Sequence, residues 1–141
     1  MFEEQVKQTV RSGLARLRGS PGNVTRDFYD HLFKAAPSVR PLFRDDVDVQ
    51  ADKLLDMLVV LVQSLDHLQE LVTEIESLGV RHAAYGVKEE HYILVARVLM
   101  ATLRDHISNW SDQDENAWGM LLDYVADLMI TGAREANGAA A

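Results

Sequence analysis

Three features of the sequence predict an all-α protein. Apolar residues recur at helical spacing almost throughout, no alternating pair of segments flanks a turn dipeptide, and the strong helix breakers are gathered into a few places. All three prolines, Pro21, Pro37 and Pro41, lie in the first third of the chain, and between Pro41 and Gly132 the only glycines are Gly79, Gly86 and Gly119. The expectation is about five long helices with one or two short ones.

The elements follow in order. Phe2, Val6, Val10, Leu14 and Leu17 make a first stripe, broken by Gly19-Ser20-Pro21-Gly22. Val24, Phe28, Tyr29, Leu32 and Phe33 make a second. Pro37 to Phe43 suits a short, tight helical turn, because proline is tolerated where the first amide has no partner. Asp45, Asp46 and Asp48 are cap candidates for a long helix from about Val47 to Leu65. The next stripe is Leu68, Leu71, Val72, Ile75, Leu78, Gly79 and His82, and a further one is Tyr92, Val95, Ala96, Leu99 and Leu103. Ser111 with Asp114 three residues later is a capping-box pattern opening a last helix, whose stripe is Trp118, Leu121, Leu122, Val125, Leu128 and Met129. The small-residue tail from Gly132 to Ala141 is expected to fray.

Composition narrows the function. The 141 residues suit a single domain spanning 1–141 and leave no room for a fused reductase or signalling output. Hydrophobic residues make up 48% and charged residues 26%, too apolar for a disordered chain. Fourteen Lys and Arg against 22 Asp and Glu give a net charge of −8, which argues against nucleic acid and against an anionic membrane surface as partners. The absence of cysteine removes disulfides, thiolate metal sites, iron–sulfur clusters and cysteine nucleophiles together. The start Met1-Phe2-Glu3-Glu4-Gln5 carries no apolar signal core, and the longest apolar run, Met57 to Val62, is far short of the roughly 20 residues that span a bilayer. A cytoplasmic location is the expectation.

With no cysteine, a metal centre would need histidine and carboxylate. The five histidines form no His-Glu-x-x-His pair, and neither a phosphate-cradling Gly-x-x-x-x-Gly-Lys loop nor a Gly-x-Ser-x-Gly elbow is present. His82 stands out, because it lies on the apolar stripe of its helix just before Tyr85-Gly86-Val87. On spacing alone it reads as an ordinary core or helix-terminal histidine. The alternative is an imidazole that holds one metal centre by a single protein bond, as a proximal histidine holds haem iron. Tyr29 lies inside an apolar stripe and reads as a core tyrosine unless its hydroxyl serves a ligand. Gln50 and Leu54 share a helix face at four-residue spacing.

These pieces jointly resemble a known family. Phe28-Tyr29-Asp30-His31-Leu32-Phe33, then Pro37 and Pro41-Leu42-Phe43, resembles the helix B to helix C region of bacterial single-domain globins and of the globin domain of flavohaemoglobins. Leu78 through Val87, followed by His91-Tyr92, is similar to the proximal histidine region of the same group, and Ala117-Trp118-Gly119 resembles the start of its last helix. The resemblance covers essentially the whole chain. It implies a globin fold, with helices packed around a haem pocket and little or no helix D, and haem b as cofactor.

Residue by residue, the resemblance makes His82 the proximal ligand to iron and Phe43 the aromatic that packs on the porphyrin. Tyr29 becomes the distal hydroxyl aimed at a bound gas, Gln50 the distal amide beside it, and Leu54 the apolar wall one turn later. Val87 and Tyr92 are implied haem contacts on the proximal side, and Lys53, Arg81 and Arg44 are candidates for the two propionates, each equally readable as a solvated surface charge. In one place the chain departs from flavohaemoglobins, which carry a last-helix Glu completing a proximal His–Tyr–Glu network. Here Ala133 occupies that place and Glu135 falls two residues on, so the resemblance implies less imidazolate character at His82 and weaker peroxidase-like activation. The implied ligands are O2, NO and CO. The implied role is tight O2 binding with nitric oxide dioxygenase or O2-scavenging chemistry, served by a flavin reductase in trans. The alternative is a haem-based gas or redox sensor acting through a partner protein.

Overall fold

The computed structural model describes residues 2–140. The helices are α1 (Glu4–Ala15), α2 (Pro21–Ala35), α3 (Val47–Gln63), α4 (Val72–Ala84), α5 (Glu89–His106) and α6 (Asp112–Ala140). Short 3-10 turns occupy Pro37–Leu42 and Leu65–Leu71. Among the described residues six α-helices thus stand where the periodicity suggests about five long ones. The difference lies in α1 and α4, which at 12 and 13 residues fall between the long and the short class. Among the described residues no strand forms, only an isolated antiparallel bridge between Leu17 and Ile107 that ties the end of α1 to the end of α5. No described helix is long and apolar enough to cross a membrane.

Local chemistry accounts for the boundaries. Asp46 is the cap of α3, its carboxylate accepting the Val49 amide at 2.9 Å. Pro21 sits in the first turn of α2 and Pro37 in that of the first 3-10 turn, where a missing N–H costs nothing. At the head of α6 the Ser111 amide donates to Asp114 Oδ2 at 2.9 Å, and the Asp114 amide reaches back to Ser111 Oγ at 3.4 Å.

Phe28, Leu32, Leu61, Leu65, Leu68, Leu103, Trp118 and Leu121 are fully buried and join helices α2, α3, α5 and α6 to the second 3-10 turn in one core. The principal seams are α4 on α6, α2 on α3, α2 on α5 and α1 on α6. Helices α3 and α4 share no such seam. The α4–α6 seam is tight because two glycines meet it from opposite sides. A Cβ on Gly79 would lie 2.0 Å from the Met129 carbonyl oxygen, and one on Gly132 would lie 2.2 Å from that of Glu76. Among the described residues the last helix runs through Gly132 to Ala140, with Gly132 buried against α4 and Arg134 making a two-pronged ion pair with Glu89 at the head of α5; position 141 of the expected frayed tail lies outside the described residues.

Asp114 also fixes the approach of α1. It is buried, and its Oδ1 accepts from Arg16 Nη2 at 2.5 Å while Arg16 Nη1 donates to the Ser108 carbonyl at 2.7 Å. Burial pushes the Asp114 carboxyl up, but the Arg16 and Ser111 hydrogen bonds together outweigh it and hold the pKa below its ordinary 3.8. Asp114→Ala removes both the cap and the ion-pair partner and is expected to cost about 2–3 kcal/mol by urea unfolding. The depressed pKa sets the sign of the pH dependence. This contribution is complete above pH 3.8 and is lost as pH falls through the folded-state value, so the gap between parent and variant should close in acid.

Candidate functional site

His82 lies two residues before the end of α4, in the last turn, and is half-buried. Its Nδ1 is 2.8 Å from the Leu78 carbonyl oxygen, one helical turn back. A carbonyl only accepts, so Nδ1 carries the proton and Nε2 is left with its lone pair. Among the described residues Nε2 has no hydrogen-bond partner. Burial lowers the ring's pKa below 6.5, opposed by the bond to Leu78 and reinforced by the neighbouring Arg81 guanidinium, so the ring is a neutral donor at pH 7. The helix stops soon after at Gly86, whose φ of +98° turns the chain toward α5. Tyr92 on α5 follows that turn, its ring centroid 6.5 Å from that of His82.

Tyr29 on α2 is 6% exposed and stands among aromatic rings, with centroids at 4.9 Å to Phe28, 5.8 Å to Phe33 and 5.5 Å to Phe43. Burial pushes its hydroxyl pKa up to about 12, which keeps it a proton donor at any physiological pH. No described residue takes that hydrogen bond. Phe43 closes the cluster edge-on, and Arg40 lies 5.0 Å above the Phe33 ring.

Gln50 and Lys53 turn toward Asp45 in the turn before α3. Gln50 is not paired with Tyr29: its Nε2 donates to Asp45 Oδ2 at 3.3 Å, and Lys53 Nζ meets the same oxygen at 2.6 Å. An ionised carboxylate five residues upstream is the stronger acceptor, and it draws both side chains toward the turn before α3. Lys53 is therefore already matched by a carboxylate, whereas Arg81 is exposed and makes no ion pair among the described residues. Arg44 lies 5.0 Å above the ring of Tyr85, joining the turn after Phe43 to the end of α4. Leu54 and Val87 are half-buried, as are Met57, Leu78, Val95 and Val98. Three participants were not read from the sequence. The Leu78 carbonyl could have been found from its four-residue spacing to His82. Asp45 reads from the sequence only as a cap, and the aromatic Tyr85 has no signal beyond its place beside Gly86.

The globin family profile matches residues 26–129, the stretch that carries Tyr29, Phe43 and His82. The chain belongs to the globin family. An uncharacterised globin-like protein of Aquifex aeolicus is 27% identical over 131 residues, covering 93% of this globin and 94% of that protein. The flavohaemoprotein of Bacillus anthracis is 25% identical over 134 residues, covering 93% of this chain. The match spans only 33% of that longer protein. Among solved structures, a bacterial globin from Campylobacter jejuni superposes with a TM-score of 0.81 at 21% identity, covering 97% of this chain and 99% of that one, and shows the shared fold. An engineered carbene transferase, built on a nitric oxide dioxygenase candidate from Rhodothermus marinus, superposes with a TM-score of 0.85 at 25% identity, covering 99% of this chain and 98% of that one.

Membership implies haem, and the residues present fit it. A flat, largely apolar cofactor with one open axial bond needs a neutral imidazole nitrogen, an aromatic to pack against and partly uncovered apolar walls. His82 Nε2 meets the first need, Phe43 the second, and Leu54, Met57, Leu78 and Val98 the third.

Proposed function

We propose that this globin holds haem b through His82, binds O2, NO and CO, and consumes NO with O2 as a nitric oxide dioxygenase served by a separate flavin reductase. The arrangement at His82 carries the reading: a neutral ring, locked by Leu78 through Nδ1, that leaves Nε2 unclaimed. Haem, when bound, supplies an iron centre that takes a diatomic gas and exchanges one electron. The chain does the rest. Leu78 fixes the tautomer and plane of the proximal ring. Phe43 and the half-buried apolar residues exclude water. Tyr29, held protonated by burial, is the donor available to a ligand carrying partial negative charge, while Gln50 must leave Asp45 before it can take the second donor role.

Turning NO and O2 into nitrate takes up one electron per cycle, and the relatives that span this chain and continue beyond it are named as flavohaemoproteins. On this reading a flavin reductase supplies that electron. The test is hemin titration of the purified chain, followed by NO consumption with and without a reducing system. A colourless product after titration ends the reading at its first step.

The Tyr29→Phe variant removes one hydroxyl donor. A hydrogen bond to a charged acceptor contributes about 1.5–3 kcal/mol, so O2 release is expected to speed up by about ten- to a hundredfold. Stopped-flow dissociation measures it, and an unchanged rate would transfer the donor role away from Tyr29.

A further inference from the structure

Away from the residues given to haem, two histidines close on one carboxylate. Asp27 and His31 are four residues apart on α2, and His106 ends α5. His106 Nε2 donates to Asp27 Oδ2 at 2.8 Å and bridges the two helices. On the other side of the carboxylate, His31 Nε2 stands 3.7 Å from Asp27 Oδ1, beyond hydrogen-bond length. The far nitrogen of that ring locates its proton. His31 Nδ1 lies 3.4 Å from Thr102 Oγ1. Thr102 is fully buried and gives its one hydroxyl proton to the Val98 carbonyl at 2.9 Å, so toward His31 it can only accept. Nδ1 therefore carries the proton of the neutral ring, and the Nε2 lone pair faces a carboxylate oxygen. Two acceptors aimed at each other call for a cation between them. A second proton would leave the gap too long for a hydrogen bond, whereas a metal ion fills it.

We propose that this gap binds a divalent transition-metal ion of the zinc class, with His31 Nε2 and Asp27 Oδ1 as protein ligands and water in the remaining positions. The spacing fits. A tetrahedral zinc ion with bonds of about 2.0–2.2 Å holds its ligands about 3.2–3.6 Å apart. Closing from 3.7 Å needs only a small side-chain shift. Each ligand already has an outer partner on α5: Thr102 fixes the tautomer and plane of His31, and His106 holds the second oxygen of Asp27. Among the described residues no three such side chains form a closed metal centre, so the site is open and exchangeable. The side chains of His31 and Asp27 are 41% and 39% exposed, which admits the ion from solvent, and the net charge of −8 draws cations toward the chain. Imidazole beside carboxylate suits zinc better than magnesium or calcium, which take oxygen ligands. None of these residues takes part in the haem reading, and the site stands without it.

The probe is zinc chloride, titrated by calorimetry into the full, untagged chain at neutral pH, with magnesium chloride as the hard-cation comparison. Saturable zinc binding is expected. His31→Gln and Asp27→Asn should each weaken it by at least about tenfold. Thr102→Val leaves both ligands in place and removes only the acceptor at His31 Nδ1, so it should weaken zinc about tenfold. In isotope-labelled chain, zinc should shift the His31 Nε2 resonance, which a purely structural role would not do. Circular dichroism of each variant checks that the helices persist. No zinc binding to the parent chain overturns the proposal. So does equal affinity of parent and His31→Gln, which would put the ion on another histidine. Equal affinity for magnesium would leave only an acidic surface and overturn it as well, and unchanged affinity in Thr102→Val would do so by returning the ring proton to Nε2.

Discussion

His82→Ala is expected to leave a helical protein that no longer retains haem. The parent should take up one equivalent of hemin and keep it through desalting, while the variant should lose it, with affinity down by more than a hundredfold. The magnitude follows from a comparison. Removing only the outer partner of a metal-bound histidine costs about 10–100-fold, and here the ligand itself goes, leaving apolar packing by Phe43 and its neighbours. The fold has little reason to suffer, because His82 is half-buried and its one side-chain bond is to a carbonyl of its own helix. Absorbance after desalting reads the first outcome and circular dichroism the second. Equal retention of hemin by parent and variant would move the axial bond to another residue. Added imidazole should restore a ferric haem spectrum to the variant if the alanine leaves a ring-sized gap.

How far the site could be read from the sequence depends on the range of the interactions involved. The Asp46 cap and the Ser111–Asp114 box were legible because they are closed within three residues. His82 was visible as an imidazole on an apolar stripe, yet spacing alone left it between a core histidine and a ligand. The feature that bears on the choice is Nδ1 on the Leu78 carbonyl with no partner at Nε2 among the described residues, and that is a rotamer, not a periodicity. Gln50 shows the converse. Its place on α3 agrees with a distal amide, but its orientation is set by competition for hydrogen bonds, and Asp45 wins. At Gly132 the small size that in sequence resembles a loose end is what the neighbouring helix requires.

That α4–α6 contact should make Gly79→Ala one of the most damaging single-methyl additions to this chain. A Cβ there would fall 2.0 Å from the Met129 carbonyl oxygen, where real Cβ contacts essentially never come under 3.0 Å. The obstacle is backbone inside a helix, so no side-chain rotation relieves it and the helices must part. Overpacking commonly costs 1–3 kcal/mol, and a backbone collision belongs at or above the top, about 3 kcal/mol. Gly132→Ala should behave alike, with its Cβ 2.2 Å from the Glu76 carbonyl oxygen. Gly119→Ala supplies the contrast on α6: its added methyl meets nothing within 4 Å, and removing a helix-interior glycine should stabilise by about 0.5–1 kcal/mol. Urea unfolding of the haem-free chain measures all three, since haem bound only by the folded state would add its own stabilisation. Both seam glycines act on the site as well. Gly79 is one helical turn before His82, so parting α4 from α6 displaces the ring, and haem retention should fall in Gly79→Ala while Gly119→Ala retains it as the parent does. A Gly79→Ala chain as stable as the parent would mean that the α4–α6 approach is looser than this packing requires, and with it the placement of the proximal ring.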